Sequence, residues 1–392
     1  MFRSPAIPIV LSIAGTLTAD VGQATALQQH SQEVAFSSGQ LLELSFPDGG
    51  SAVVTGWDKP IASVRYSNRA GAIEDFHVKL LELPGGLHLS AEWKRRGSLD
   101  RDFVCEIRVP RRLDIEFHAG RGNLTLEDVE GHFAGETMGG SFTLRNVTGS
   151  VALVSMGGEI ELVDSRLDGE ISTGGGEVLL ENIVGLIDAS SGGGTVRYRN
   201  VREEHGRIRG PGGSYVPDAD EKCIFMSTAG GDLEVTAAPS GAVLETAGGR
   251  ITVGDSSRFV SADSGGGDIE IRIREGWVKA WTGAGDIAVD MRTGLGPSGR
   301  GIDLLSGIGD VSLTLPRGLV VALDLEIAYT RNSSRDYEIL SDLELEIEAP
   351  RDWSHDGSTV RRYIRGFAGR EGDAPLVKIR TQNGNIRILT AD

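Results

Sequence analysis

The sequence predicts an all-β fold: a parallel, right-handed β-solenoid of 18-residue, two-strand coils, capped by irregular β segments at both ends. Three observations predict it. Gly122, Gly140, Gly158, Gly176 and Gly194 stand 18 residues apart, and each opens a Gly-x-aliphatic-x-aliphatic run (GNLTL, GSFTL, GEIEL, GEVLL, GTVRY). The beat returns at Gly213, Gly231, Gly249, Gly267, Gly285 and Gly309, giving eleven units. A short fixed period marks a repeat architecture, because one unit cannot bury its own apolar face and must stack on its neighbours. Second, counting from the opening Gly as position 1, positions 3 and 5 are aliphatic (Leu124 and Leu126, Ile160 and Leu162, Ile269 and Ile271), and positions 12 and 14 repeat the pattern (Val151 and Leu153, Val278 and Ala280). Alternation at period two is a half-buried strand, so each unit holds two strands facing one narrow core. Third, a Ser or Thr stands three residues before the Gly: Thr137, Ser155, Thr173, Ser191, Thr228, Thr246, Ser264, Thr282, Ser306 and, before Gly384, Thr381. These hydroxyls share the inward parity and predict a hydrogen-bond ladder between units.

Residues 1–26 come first along the chain. Arg3, the short apolar stretch 6–17 and the small residues Ala24 and Ala26 around Thr25 predict a cleaved signal peptide, hence an exported chain in the periplasm, at the cell surface or outside the cell. Residues 27–118 alternate like strands without the beat, and so do residues 316–392; both are predicted caps, since the end units of a stack expose unpaired strand edges. Between them, residues 119–315 carry the repeats. Position 7 is Asp128, Asn146, Asp164, Asn182, Asn200 and Asp255, residues that tolerate a left-handed turn. Two irregularities interrupt the count, a charged stretch at 202–222 with Pro211 and Pro217, and six extra residues around 294–300. Both read as loops leaving the stack, and loops are where binding usually sits. Other short-period architectures fail. Calcium-binding nonapeptide repeats need two Gly-rich turns per 18 residues, and a hexapeptide helix needs an aliphatic at position 9, where Glu130, Thr148 and Arg166 stand.

Composition narrows the function. With a formal charge of −17, the chain lacks the clustered Lys and Arg that nucleic acid requires, and an anionic membrane surface is disfavoured. No apolar run is long enough for a transmembrane helix. Export permits a disulfide between Cys105 and Cys223, but two buried thiols are the favoured reading. The seven His are scattered without ligand spacing, and no Gly-x-Ser-x-Gly elbow occurs, so neither a metal site nor a hydrolase triad has support. A monomer or weak oligomer is expected.

The strand Ile107-Arg108-Val109-Pro110, the repeated [ST]-x-G-G-[DE]-[IV]-x-[LIV] units and the closing stretch from Gly366 to Ile388 (P-L-x-K-I-R-T-x-N-G-N-I-R-I) together resemble the bacterial putative adhesin family, a β-helix domain of exported proteins. The resemblance covers about 33–392. It implies an exported β-helix with a surface or adhesion role, and brings no catalytic residue.

Two candidate sites follow from the columns. Position 2, facing outward, carries Asp232, Asp268, Asp286 and Asp310. Asp268 and Asp286 are in adjacent units, ~4.8 Å apart at strand spacing, a pair that could hold a Ca²⁺ or divide into acid and base. In WVKAWT, Val278 and Ala280 point inward, so Trp277, Lys279 and Trp281 point outward, with Phe259 one unit earlier. An exposed aromatic face of this kind suits sugar stacking or a protein partner. The leading expectation is therefore an exported, non-enzymatic scaffold that binds a surface glycan or protein partner and needs no cofactor. The alternatives are a cation-dependent polysaccharide-active enzyme at Asp268 and Asp286, or a self-assembling cell-envelope protein.

Overall fold

The computed structural model describes residues 30–69, 73–94, 103–202, 223–296, 300–331, 336–350, 352–356, 359–369 and 374–391. The signal-peptide stretch 1–26 lies outside them. Every described strand belongs to one of two large sheets dominated by parallel pairs; the one other element among the described residues is the 3₁₀ turn Ile73–Asp75.

From Leu124 the chain alternates between the sheets. Leu124–Glu127, Phe142–Arg145, Ile160–Val163, Val178–Glu181 and Val196–Arg199 lie side by side in the first, and Glu130–Thr137, Thr148–Ser155, Arg166–Thr173 and Ile187–Ser191 in the second. Each residue pairs with the one 18 positions on: Leu124 with Phe142, Phe142 with Ile160, Val151 with Gly169. The aliphatics at positions 3, 5, 12 and 14 are buried in one continuous core, as the alternation predicted.

Three devices hold the register. A Cβ at Gly140, Gly158, Gly249 or Gly267 would collide with the carbonyl oxygen of the opening Gly one unit before, so the beat marks backbone resting on backbone. The buried hydroxyls form the predicted ladder, but with backbone rather than with one another. Ser264 Oγ donates to the Gly249 carbonyl at 2.9 Å and accepts from the Gly267 N–H at 2.9 Å. Ser155 does the same between Gly140 and Gly158, each at 2.8 Å. Position 7 is left-handed at Asp128, Asn146, Asp164, Asn182 and Asn200, with φ from 49° to 58°. Their side chains also stack, Asn182 Nδ2 donating to Asp164 at 2.7 Å and Asn200 Nδ2 to Asn182 at 2.8 Å. Asp255 differs: it sits in strand Ile251–Ser256 and pairs with Arg274 at 2.7 Å.

The expected eleven units need correcting. Val196 pairs directly with Leu233, and Ala189 with Met226, so the Gly194 unit stacks on the Gly231 unit and nothing stands between them. Gly213 lies outside the described residues, within 203–222, and ten of the predicted units make the stack. The second irregularity keeps the register but does not leave the stack as the expected loop from its start. Gly294 ends the strand Ile287–Gly294 and pairs with Glu275, and Leu295 is buried in the core. Val278 pairs with Ile302 across the extra residues, and Ser306 still donates to the Gly285 carbonyl at 2.8 Å.

The flanks extend the same two sheets. Leu41–Phe46 and Ser51–Trp57 pair in parallel with Asp114–Ala119 and Leu124–Glu127, forming one more unit. Beyond it lie Phe103–Pro110, then antiparallel Ile61–Asn68 and His30–Ala35; on the other sheet Gly86–Trp93 is followed by antiparallel Phe76–Leu83. At the far end the chain leaves after Val311–Pro316, builds Ala322–Thr330 through Thr359–Ala368, and returns. Leu376–Gln382 then lies between Ile302–Ser306 and Ala322–Thr330, and Ile386–Ala391 between Val311–Pro316 and Ile339–Ser341.

Candidate binding face

The outer face of the second sheet, across Ile224–Thr228, Ala242–Thr246, Phe259–Ser264, Trp277–Thr282, Ile302–Ser306 and Leu376–Gln382, carries the chemistry. Its strands put Val260, Ala262, Val278 and Ala280 into the core, which leaves alternate residues outside. Outside does not mean exposed. Phe259 lies over Gly241, where a Cβ would strike its ring and where φ is +98°. Trp277 stacks on Phe259 with ring centroids 4.8 Å apart and planes 8° from parallel. The Arg300 guanidinium sits 5.1 Å over Trp277. With Cys223, Phe225 and Val243 these rings make a second apolar cluster, separate from the main core.

The expected aromatic platform is corrected accordingly. Phe259 is 1% and Trp277 6% exposed, so both are packing residues, whereas Trp281 remains 39% exposed and Lys279 is exposed. Trp281 pairs in register with Leu305, which is also exposed, and Ile308 is exposed in the turn that follows. The stacked column explains the burial: position 11 is aromatic in two adjacent units, and a flat ring covers the one before it.

Two grooves flank this face. One, of about 360 Å³, is lined by Ser227, Thr228, Glu245, Thr246 and Asp263. Glu245 and Asp263 are partners in register on adjacent strands. Burial, then the Asp263 charge, pushes Glu245 up; burial pushes Asp263 up while Lys279 pulls it back. Column arithmetic could have found the pair, since both residues stand at position 15. Near the same face Asp188 is pushed up to about 6 by burial and by Glu170, its partner in register, and its Oδ1 is buried without a hydrogen-bond partner. The other groove, about 390 Å³, is lined by Trp277, Lys279, Arg300, Asp303, Leu376 and Lys378.

The position 2 acids serve the turns. Asp232 Oδ1 accepts from the Arg250 N–H at 2.8 Å, Asp268 from the Asp286 N–H at 3.0 Å, Asp286 from the Asp310 N–H at 2.8 Å, and Asp310 from the Asn385 N–H at 2.8 Å. Asp268 also meets Arg250 at 3.3 Å. Asp268 and Asp286 are adjacent as expected, and each gives one oxygen to the next unit's backbone. Among the described residues no three His, Cys, Asp or Glu gather as a metal-binding group. Cys105 and Cys223 are both buried and no bond joins them; burial, then Glu106, drives the Cys105 thiol far up. No described helix is long and apolar enough to cross a membrane.

No family model and no curated protein matches the chain. Solved structures do match over most of its length. A putative cell adhesion protein from Clostridium sporogenes is 8% identical, with 93% of this chain and 100% of that one covered and a TM-score of 0.19. A putative adhesin from Bacteroides fragilis is 11% identical over 72% and 97% of the two chains, TM-score 0.25. A putative lipid binding protein from Parabacteroides distasonis is 12% identical over 70% and 96%, TM-score 0.25.

Proposed function

We propose that this chain is an exported, non-enzymatic, adhesin-like module, wound as a right-handed parallel β-solenoid, that binds a surface glycan or protein partner. The carrying observation is Trp281, an exposed indole beside the exposed Leu305, on the sheet that carries the Phe259–Trp277 stack. A half-exposed indole on a rigid strand loses little entropy when a ring or apolar side chain settles on it. The right hand follows the general handedness of parallel crossovers, and the closing motif's resemblance to the putative adhesin family points the same way. Trp281→Ala should leave the melting temperature unchanged and reduce retention of the protein on bacterial or host cell surfaces. Undiminished retention would move the site elsewhere.

A second reading, polysaccharide cleavage, draws its support from Glu245 and Asp263 and less from Asp268 and Asp286. Raised carboxyl groups on neighbouring strands are the ordinary equipment of glycoside chemistry. Turnover on a polysaccharide panel, lost in Glu245→Gln, would establish that reading against the scaffold.

A further inference from the structure

Beside Trp281 the local charge runs against that of the whole protein. The chain carries a formal charge of −17, yet the larger groove is lined by three cations, Lys279, Arg300 and Lys378, and one anion, Asp303. Lys279, Asp303 and Lys378 follow one another in register across three adjacent strands. The two lysines therefore stand about 10 Å apart, two strand spacings, with the aspartate between them. Arg300 lies over Trp277, which in turn rests on Phe259. A guanidinium over a fixed indole is held in place, and guanidinium is the side chain whose fork geometry suits a planar carboxylate. Leu376, half-exposed in the same groove, supplies apolar surface, and Trp281 stands two residues beyond Lys279 on the same strand.

A ligand matching this surface has an apolar ring face and an equatorial carboxylate. We infer that the groove takes a carboxylate-bearing sugar of an acidic polysaccharide, which rests on the glycan form of the binding function proposed above. The sugar ring lies against Leu376, its carboxylate meets Arg300, a neighbouring carboxylate along the polymer reaches Lys378 or Lys279, and a further ring of the same polymer reaches Trp281. The acidic groove at Glu245 and Asp263 repels the same polymer and confines it to the cationic side.

Titration calorimetry with the mature chain tests this, using polygalacturonate, alginate and hyaluronate, each beside its carboxyl-reduced form. At least one acidic polymer should bind, its reduced form about tenfold or more weakly, and binding should fade as salt is raised. Arg300→Gln and Lys378→Gln should each weaken binding about tenfold with the melting curve unchanged. Asp303→Asn should strengthen it, a gain that damage to the fold does not imitate. Equal binding of acidic and reduced forms, or wild-type binding by both the Arg300 and Lys378 variants, overturns the inference. If a reduced glycan binds as well and is lost in Trp281→Ala, the glycan-binding function stands without it. If no polysaccharide binds while cell-surface retention still depends on Trp281, the partner is a protein and the inference fails.

Discussion

Gly248 and Gly249 are neighbours that read alike in the sequence and differ completely in place. A Cβ at Gly249 would strike the Gly231 carbonyl, whereas a Cβ at Gly248 would meet nothing, on a backbone any residue adopts. Gly249→Ala is expected to destabilise by about 1–3 kcal/mol or more through forced backbone shifts, and Gly248→Ala to fall within about 0.5 kcal/mol of wild type, both read from urea unfolding. The same limit on legibility applies to Ser264: parity shows that its hydroxyl points inward, but its choice of Gly249 and Gly267 as partners depends on turn geometry no alternation encodes. Asp188 illustrates what burial adds. Its folded-state pKa is pushed up to about 6 by burial first and Glu170 second, so its protonated form is the one the fold prefers. The stability tied to it is complete below the unfolded value of about 4 and is lost as pH rises through the folded value. Asp188→Asn should therefore melt above wild type at pH 7.5, with the gap closing toward pH 4. An unchanged gap across that range would show that Asp188 does not titrate as described.

Strands inside the beat were legible and strands outside it were not, for a physical reason. Within the repeats a strand is fixed by identical neighbours on both sides, so its period alone announces its place. Val196–Arg199 faces Val178–Glu181 on one side and Leu233–Val235 on the other, and only this second pairing shows that 203–222 is skipped. Counting from Gly194 placed a unit at Gly213 because spacing records chain length and not which strand edge is satisfied. The ends are set by which edge is open when the chain returns. Leu376–Gln382 continues the hydroxyl column at Thr381, which donates to the Gly309 carbonyl at 2.5 Å. The sequence thus shows that the last unit belongs to the stack, but its position between Ile302–Ser306 and Ala322–Thr330 needs the pairing itself. The candidate face had a similar fate. The columns pointed to Lys279 and Trp281, while the burial of Phe259 and Trp277 came from rings in one column covering each other.

Across the whole molecule, stability comes from sharing. One unit buries a handful of aliphatic side chains, each contributing about 1.5–3 kcal/mol, against an ordering entropy of about 1–2 kcal/mol for every backbone residue. The balance turns favourable when both edges of a unit's strands are hydrogen-bonded to neighbours, so a stack gains or loses whole units more readily than fractions of one. Removing residues 141–158 joins Gly140 to Glu159 and puts Ile160 beside Leu124, where Phe142 now stands. The Thr173 hydroxyl, which donates to the Gly158 carbonyl at 2.7 Å, then meets that of Gly140. The aliphatic columns, the left-handed turns and the hydroxyl ladder all survive the splice. This deletion should give a soluble protein with the wild-type far-ultraviolet circular dichroism per residue and one cooperative, modestly lowered melting transition. Removing only 150–158, half a period, takes the strand Thr148–Ser155 out of the second sheet and leaves the edges of Glu130–Thr137 and Arg166–Thr173 without their partner. That variant should aggregate or melt in more than one step. If the two deletions behave alike, the 18-residue unit is not the unit of stability.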